Sequence, residues 1–472
     1  MFTEFSEASA FIEKHDIQMI DLKFSDLWGR WHHVSVPAPS FNEKIMSEGV
    51  GFDGSSIGFK SIQSGDMILV PDLPTGFLDP FWEVPTLSFI CKTLEADTKR
   101  LFLGDPREVL RHAARFLEAS GIADDCLWGP EFEFYVFDQL SFKNEINQAS
   151  YRVDSFEANW NGDVEGRGHT IPLHGGYHAI PPNDQLYNIR TEMTRSMQNA
   201  GISVKYHHHE VGGPGQCEIE TPLMPMDVAA DAVMMIKYIA KMTGQNHNQI
   251  VTFLPKPLFG EAGNGMHFHQ QLTLNGENVF YDPDGSHLLS KTALHYIGGL
   301  LTHAPAVLAF TNASTNSYRR LVPGYEAPVN AFFSSGNRSA AIRIPKYATQ
   351  PDQVRFEFRP PDATCNPYLA MAAMLLAGLD GINNEIDPTE AGFGPINEDI
   401  FSWDVEKRKS IKSLPTTLSE ALEALEKDHQ FLQVDGIFPD SLIKQWLKVK
   451  YQEDRDVRSR PHPYEIQLYF DL

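Results

Sequence analysis

The chain has 472 residues, and its 62 acidic residues against 39 basic ones give a formal net charge of −23. That balance disfavours general affinity for nucleic acid or anionic lipid and tolerates small cations. With 42% hydrophobic residues, the length allows two or more domains with real cores.

No basic region followed by an apolar stretch opens the chain, so no signal peptide is expected. Residues 1–103 read as strand-rich, with runs at 17–27, 31–36, 66–70 and 86–92 separated by turns such as Gly51-Phe52-Asp53-Gly54-Ser55-Ser56. A domain boundary follows. Asp105, Pro106 and Glu108 form a cap-plus-proline helix start, and Gly121 marks the stop. Beyond it, strands alternate irregularly with helices expected at 184–200, 226–247, 289–310, 367–384, 417–429 and 439–450. The order is not a regular βαβ alternation, so the fold class is α+β. The most apolar run, Tyr368 to Leu379, is shorter than the roughly 20 residues that cross a bilayer, so a buried helix and no membrane partner are expected. Cys91, Cys126, Cys217 and Cys365 are scattered without a Cys-x-x-Cys. Reduced thiols in a cytoplasmic protein are the plain reading.

Three segments break the ordinary strand pattern. Glu131-Phe132-Glu133-Phe134, His267-Phe268-His269 and Arg355-Phe356-Glu357-Phe358-Arg359 place a charged or imidazole group at every second position with phenylalanine between. On a strand, residues i and i+2 share a face about 6.6 Å apart. The rings must pack on a core, and the opposite face either meets water or lines a cavity. A Glu-x-Glu is usually a solvated edge, but the flanking rings argue for a buried strand, where a carboxylate pair needs a compensating cation.

Further candidates join this set. Glu210 and Glu218 flank the loop Gly212-Gly213-Pro214-Gly215, which can place them side by side; the bland alternative is a charged surface turn. In His207-His208-His209 at most His207 and His209 share a side of a strand. The segment Gly260-Glu261-Ala262-Gly263-Asn264-Gly265 is neither a P-loop nor a dinucleotide fingerprint, but its glycines let backbone amides approach a substrate. Arg319, Arg320, Arg338, Arg343, Arg355 and Arg359 suit carboxylate or phosphate, several of them in apolar surroundings that surface ion pairing explains poorly. Several carboxylates with one or two histidines fit Mg²⁺ or Mn²⁺ better than zinc. With the arginines they suit a polyanionic substrate bridged by cations.

Together with Phe52-Asp53-Gly54-Ser55-Ser56-Ile57, the run Asn316 to Pro328, Asn337-Arg338-Ser339 and Asn366-Pro367-Tyr368, these segments resemble type I glutamine synthetase over essentially the whole chain. The resemblance implies an N-terminal β-grasp domain (1–103) followed by a large catalytic domain (104–472). It implies ATP-dependent ligation of ammonium to glutamate through γ-glutamyl phosphate, in a homo-oligomer, a dodecamer of two stacked hexameric rings. By the same resemblance, Glu133, Glu210 and Glu218 hold one Mg²⁺ or Mn²⁺, and Glu131, His267 and Glu357 hold a second. Gly263, Arg320 and Arg359 hold glutamate, and His269 and Arg355 contact ATP. Arg338 and Arg343 assist phosphoryl transfer. Glu326 sits on a mobile flap, and Asp53 serves a neighbour's site in trans.

Two departures from the family pattern stand out. Ala262 replaces the usual asparagine of the glycine loop, which leaves Glu261 and Asn264 as candidates to supply the lost polar contact. No tyrosine lies between Tyr368 and Tyr451, around Phe401, so control by adenylylation is expected to be absent. The competing readings are a γ-glutamyl ligase for organic amines, a non-catalytic relative and a paired-carboxylate glycosidase. Retention of both Asp53 and Glu326, a negative pair suited to a small cation, favours ammonia over an amine.

Overall fold

The computed structural model describes residues 2–398, 400, 403, 404, 407 and 410–472. Phe401, around which the missing tyrosine was noted, lies outside the described residues.

A helix, α1 (Phe5–Lys14), opens the region read as strand-rich. Phe5, Ala8, Phe11 and Ile12 recur at helical spacing, and Glu4 and Glu7 close a capping box. The apolar face of α1 packs against the first core, where Phe5 stacks on Phe41. Strands β1 (Met19–Ser25), β2 (Trp31–Pro37), β3 (Val50–Asp53), β4 (Asp66–Pro71), β5 (Phe77–Asp79) and β6 (Thr86–Glu95) build one mixed sheet, in the order β2-β1-β6-β4-β3 with β5 beside β6. The short α2 (Glu43–Ser47) precedes β3.

Helix α3 (Pro106–Ser120) starts and stops as its caps dictate. Asp105 accepts from the Arg107 amide, and Gly121 takes a φ of 71° at the C-cap. Arg107 rivets the two parts of the chain. Its guanidinium is bidentate to Asp231 (2.9 and 2.6 Å) and donates to Asp72 at 2.8 Å. Asn366 Nδ2 reaches back to the carbonyls of Asp26 and Leu27, and Trp28 stacks on Trp446. Buried bidentate pairs of this kind fix geometry as much as they stabilise.

The larger sheet is built on β7 (Asp125–Phe137). An exposed hairpin, β8 (Gln139–Glu145) and β9 (Gln148–Asp154), and helix α4 (Tyr187–Asn199) follow. The remaining strands are β10 (Tyr206–His209), β11 (Gln216–Glu220), β12 (Met224–Pro225), β13 (Ile250–Thr252), β14 (Met266–Leu274), β15 (Glu277–Asn278), β16 (Asn330–Ser335), β17 (Ala340–Ile344) and β18 (Phe356–Phe358). Their order is β10-β11-β7-β14-β18-β17-β16. One face of the sheet is apolar and lies in the main core with α5 (Met226–Asn246), α6 (Lys291–Thr311) and α8 (Pro367–Asn383); the four-residue α7 (Ser317–Arg320) follows α6. Helix α6 is long and apolar enough to cross a membrane, but 78% of that stretch is buried in the protein, which makes it a core helix. The helix expected to end near 450 runs from Asp440 to Arg458, and a further short helix, Pro463–Tyr469, was not anticipated.

Candidate active site

Strand register assembles the site. On β7, Phe132 and Phe134 point into the core with no exposure, so Glu131 and Glu133 face the other way. Pairing with β11 sets Glu218 opposite Glu133 and Glu220 opposite Glu131. Pairing with β14 sets His267 opposite Glu131, and β18 brings Glu357 opposite His269. Arg343 on β17 then lies opposite Glu357. Directly opposed residues have Cβ atoms about 5 Å apart, so five neighbouring strands present one continuous polar floor.

The floor underlies a cavity of ≈ 620 Å³. His267 Nδ1 lies 3.1 Å from Glu131 and 3.4 Å from Glu357. His269 Nε2 lies 3.5 Å from Glu131. Arg343 and Arg359 each donate to a separate oxygen of Glu357, at 2.7 and 2.5 Å. Arg320 is buried and donates to the carbonyls of Pro360 and Arg359, and to His267 Nε2 at 3.3 Å. Gly263 and Gly265 close this wall. A Cβ on Gly263 would lie 2.5 Å from the Pro255 carbonyl, and one on Gly265 would lie 2.5 Å from both Arg320 and His267. Only glycine lets the loop come this near.

Most of the residues singled out in the sequence converge here. Glu131, Glu133, Glu210, Glu218, Gly263, His267, Arg320, Glu326, Arg338, Arg343 and Arg359 all line the cavity. Glu357, His269 and Arg355 stand behind it; Arg355 Nε donates to His269 Nδ1 at 3.3 Å. Asp53 is not brought in. It is exposed at the end of β3 and accepts from the Ser55 amide and the Ser56 hydroxyl.

The histidine triplet alternates across its strand. His208 faces the floor, with Nε2 3.2 Å from Glu218, its register partner. His209 is buried against Glu157 at 3.1 Å. Tyr177, His178 and Tyr206 add an aromatic wall that no motif announced. Neither proposed substitute in the glycine loop is free. The Glu261 carboxylate accepts from the amides of His174 and Ala262. Asn264 donates to Leu254 and accepts from Gln216. Both side chains are thus engaged within the protein.

Comparison with known proteins decides the family. Residues 16–96 match the model described as glutamine synthetase, beta-Grasp domain, and residues 103–469 the model described as glutamine synthetase, catalytic domain. The chain belongs to the glutamine synthetase family. It is 44% identical to the glutamine synthetase of Frankia alni over 100% of both chains, and 45% identical to that of Aquifex aeolicus over 98% of this chain and 97% of that one. Among solved structures, a Plasmodium falciparum glutamine synthetase superposes with a TM-score of 0.88 at 28% identity, covering 99% of each chain. A complex titled GmaS/ADP gives 0.81 at 26% identity over 100% of each. The architecture is thus an N-terminal β-grasp domain followed by the catalytic domain. The enzyme is a glutamine synthetase, joining ammonia to glutamate with ATP, and the organic-amine alternative is not favoured.

Glutamine synthetases depend on divalent metal, and the donor set here fits one. Ligand atoms of Glu131, His267 and Glu357 lie within 4.8 Å of one another, as do those of Glu131, Glu133 and Glu218, and those of Glu131, Glu220 and His269. Carboxylate-rich sites with one imidazole suit hard divalent cations. Charge points the same way. Burial, then the charges of Glu133 and Glu218, push Glu210 up to about 9. Burial followed by Glu131 and Glu133 raises Glu218 well above the usual carboxylate range. Burial also opposes ionisation of Glu131 and Glu357. There, however, His267 and His269 hold Glu131 well below its ordinary value, and Arg359 holds Glu357 at about 2. Arginines balance Glu357 at one end of the floor, whereas at the other Glu210 and Glu218 chiefly face other carboxylates.

Proposed function

We propose that the glutamine synthetase reaction runs on this floor with two divalent cations, Mg²⁺ or Mn²⁺. Glu133, Glu210 and Glu218 would hold one, and Glu131, His267 and Glu357 the other. Bound there, the cations would supply charge neutralisation and alignment for the phosphates of ATP. Arg320, Arg359 and the backbone at Gly263 hold glutamate, whose side-chain carboxylate needs a guanidinium fork. His269 and Arg355 face the nucleotide. Arg338 and Arg343 stabilise charge on the transferring phosphoryl group. The observation that carries this reading is Arg343: its Nη1 binds Glu357, while its buried Nε has no hydrogen-bond partner among the described residues. A buried donor without a partner is costly, and a phosphoryl oxygen would satisfy it.

The γ-glutamyl phosphate formed in this step must be shielded, because water would return it to glutamate and phosphate. Glu326 serves that purpose on a flap that closes over the intermediate. Ammonium is drawn in between Glu326 and Asp53 and loses a proton there, and ammonia displaces phosphate.

Asp53 acts on a neighbour's site in a dodecamer of two hexameric rings. Two separate apolar protrusions support self-association: Phe142 and Ile146 on the β8–β9 hairpin, and Ile466, Tyr469 and Phe470 at the C-terminal helix, all exposed. The domain division falls at 103/104, just before the Asp105 cap. All four cysteines are free and buried, which suits a cytoplasmic location.

A complementation assay tests the shared site. Asp53→Asn and Glu357→Gln chains, each inactive alone, are unfolded together and reassembled. Mixed oligomers regain activity if Asp53 works in trans. Mixtures as dead as their parents would refute it.

A further inference from the structure

The flap that carries Glu326 is poorly anchored at its catalytic residue. Glu326 adopts a left-handed φ of 54°, next but one to Gly324 at 96°. Such a backbone persists only where its surroundings over-determine it. The nearest cation to the Glu326 carboxylate is Arg338 at 4.0 Å, and both side chains are largely exposed. That pair holds little.

The preceding residue is held much better. The ring of Tyr325 lies 3.7 Å from the ammonium of Lys256. It also neighbours the His174 ring, with centroids 6.0 Å apart at 47°. Both supports are themselves fixed. The Lys256 amide donates to Asn316 at 2.6 Å, and its Nζ donates to the Glu261 carbonyl. The Glu261 carboxylate, 1% exposed, accepts from the His174 amide at 3.2 Å and lies 3.4 Å from His174 Nδ1. One buried residue, two before Gly263, therefore fixes both platforms under Tyr325: Glu261 holds His174 through its carboxylate and Lys256 through its carbonyl. A half-desolvated ammonium against an aromatic face is a stronger contact than an exposed ion pair.

We propose that Lys256 is a positioning residue: by seating Tyr325 it sets Glu326 over the reacting acyl group. Lys256 does not line the cavity, so it acts through the flap and not on substrate. This rests on the reading that the flap shields the acyl phosphate. Removing the ammonium leaves the chemistry's groups intact but lets water compete with ammonia. Water attacking the acyl carbon releases phosphate and returns glutamate without forming glutamine.

The test measures phosphate released against glutamine formed in the full-length assembled enzyme, with KM for ATP and glutamate. Wild type should release the two products in equal amounts. Lys256→Met should lower glutamine turnover about fivefold, release excess phosphate and leave KM for ATP unchanged. Lys256→Arg and Tyr325→Phe, which keep a cation on a ring, should restore both turnover and stoichiometry. Tyr325→Leu should match Lys256→Met, and the double variant should be no worse than either. Should Lys256→Met fail to assemble, Tyr325→Leu carries the test from the flap side. Equal product release in the variants, or losses that multiply in the double variant, would overturn the proposal. A wild type that hydrolyses ATP as fast without ammonium would instead overturn the shielding reading.

Discussion

Glu357 and Glu218 lie on the same face of one sheet, with β7 and β14 between their strands, and both are nearly inaccessible. Yet they are held in opposite ways. Glu357 is clasped by Arg343 and Arg359 and faces His267, so its charge is settled by the fold itself. Glu218 lies 3.2 Å from His208 Nε2, and burial with the charges of Glu131 and Glu133 disfavours its ionised form until something positive arrives. Burial alone does not tell a carboxylate already balanced by the protein from one that awaits a cation; the sign of its neighbours does.

The largest effect that probes this contrast comes from paired substitutions in EDTA-treated enzyme. Glu357→Gln should cost about 3 kcal/mol of stability in a denaturant melt, because the buried Arg359 and the half-buried Arg343 lose their charged partner. Glu218→Gln should cost nothing or stabilise slightly, since an amide replaces a carboxyl that burial and repulsion already keep protonated. Both variants should be inactive with metal present. Equal destabilisation by the two would break the comparison.

A smaller effect sharpens the same rule away from the site. His303 on α6 bonds Asp428 at 2.7 Å and Asp380 at 2.9 Å through its two ring nitrogens, and stacks on Phe431. Carboxylates accept, so the ring must donate from both nitrogens. Burial opposes the charge, but the two aspartates outweigh it and raise the pKa above 6.5. The resulting stabilisation is fully present below that ordinary value and is lost as pH rises through the raised one. Wild-type stability should therefore fall with pH above 6.5, and His303→Gln should flatten that slope. A parallel slope in the variant would remove the charge from the account.

Much of the balanced end was legible in the sequence, because alternation of charge with phenylalanine fixes which face each residue takes. The capped helix starts at Asp105 and Asn366 were legible for the same local reason. Register across strands was not. His208 faces Glu218 only because the Gly213-Pro214-Gly215 turn sets the β10–β11 pairing, and no single-strand pattern reports that. The aromatic wall at Tyr177 and Tyr206 and the closed glycine loop arise from contacts distant in sequence. Asp53 stands exposed at the end of β3, outside the cavity of the single chain, and its own segment does not report what it would face. Helix α1 did have a signal, a capping box at Glu4 and Glu7, hidden by the surrounding strand-like composition.

The most direct test is anomalous diffraction from crystals grown with Mn²⁺ and a non-hydrolysable ATP analogue. Two peaks are predicted beneath the nucleotide's phosphates, one among Glu133, Glu210 and Glu218 and one among Glu131, His267 and Glu357. Occupied nucleotide with no anomalous density between those carboxylates would contradict the account at its base.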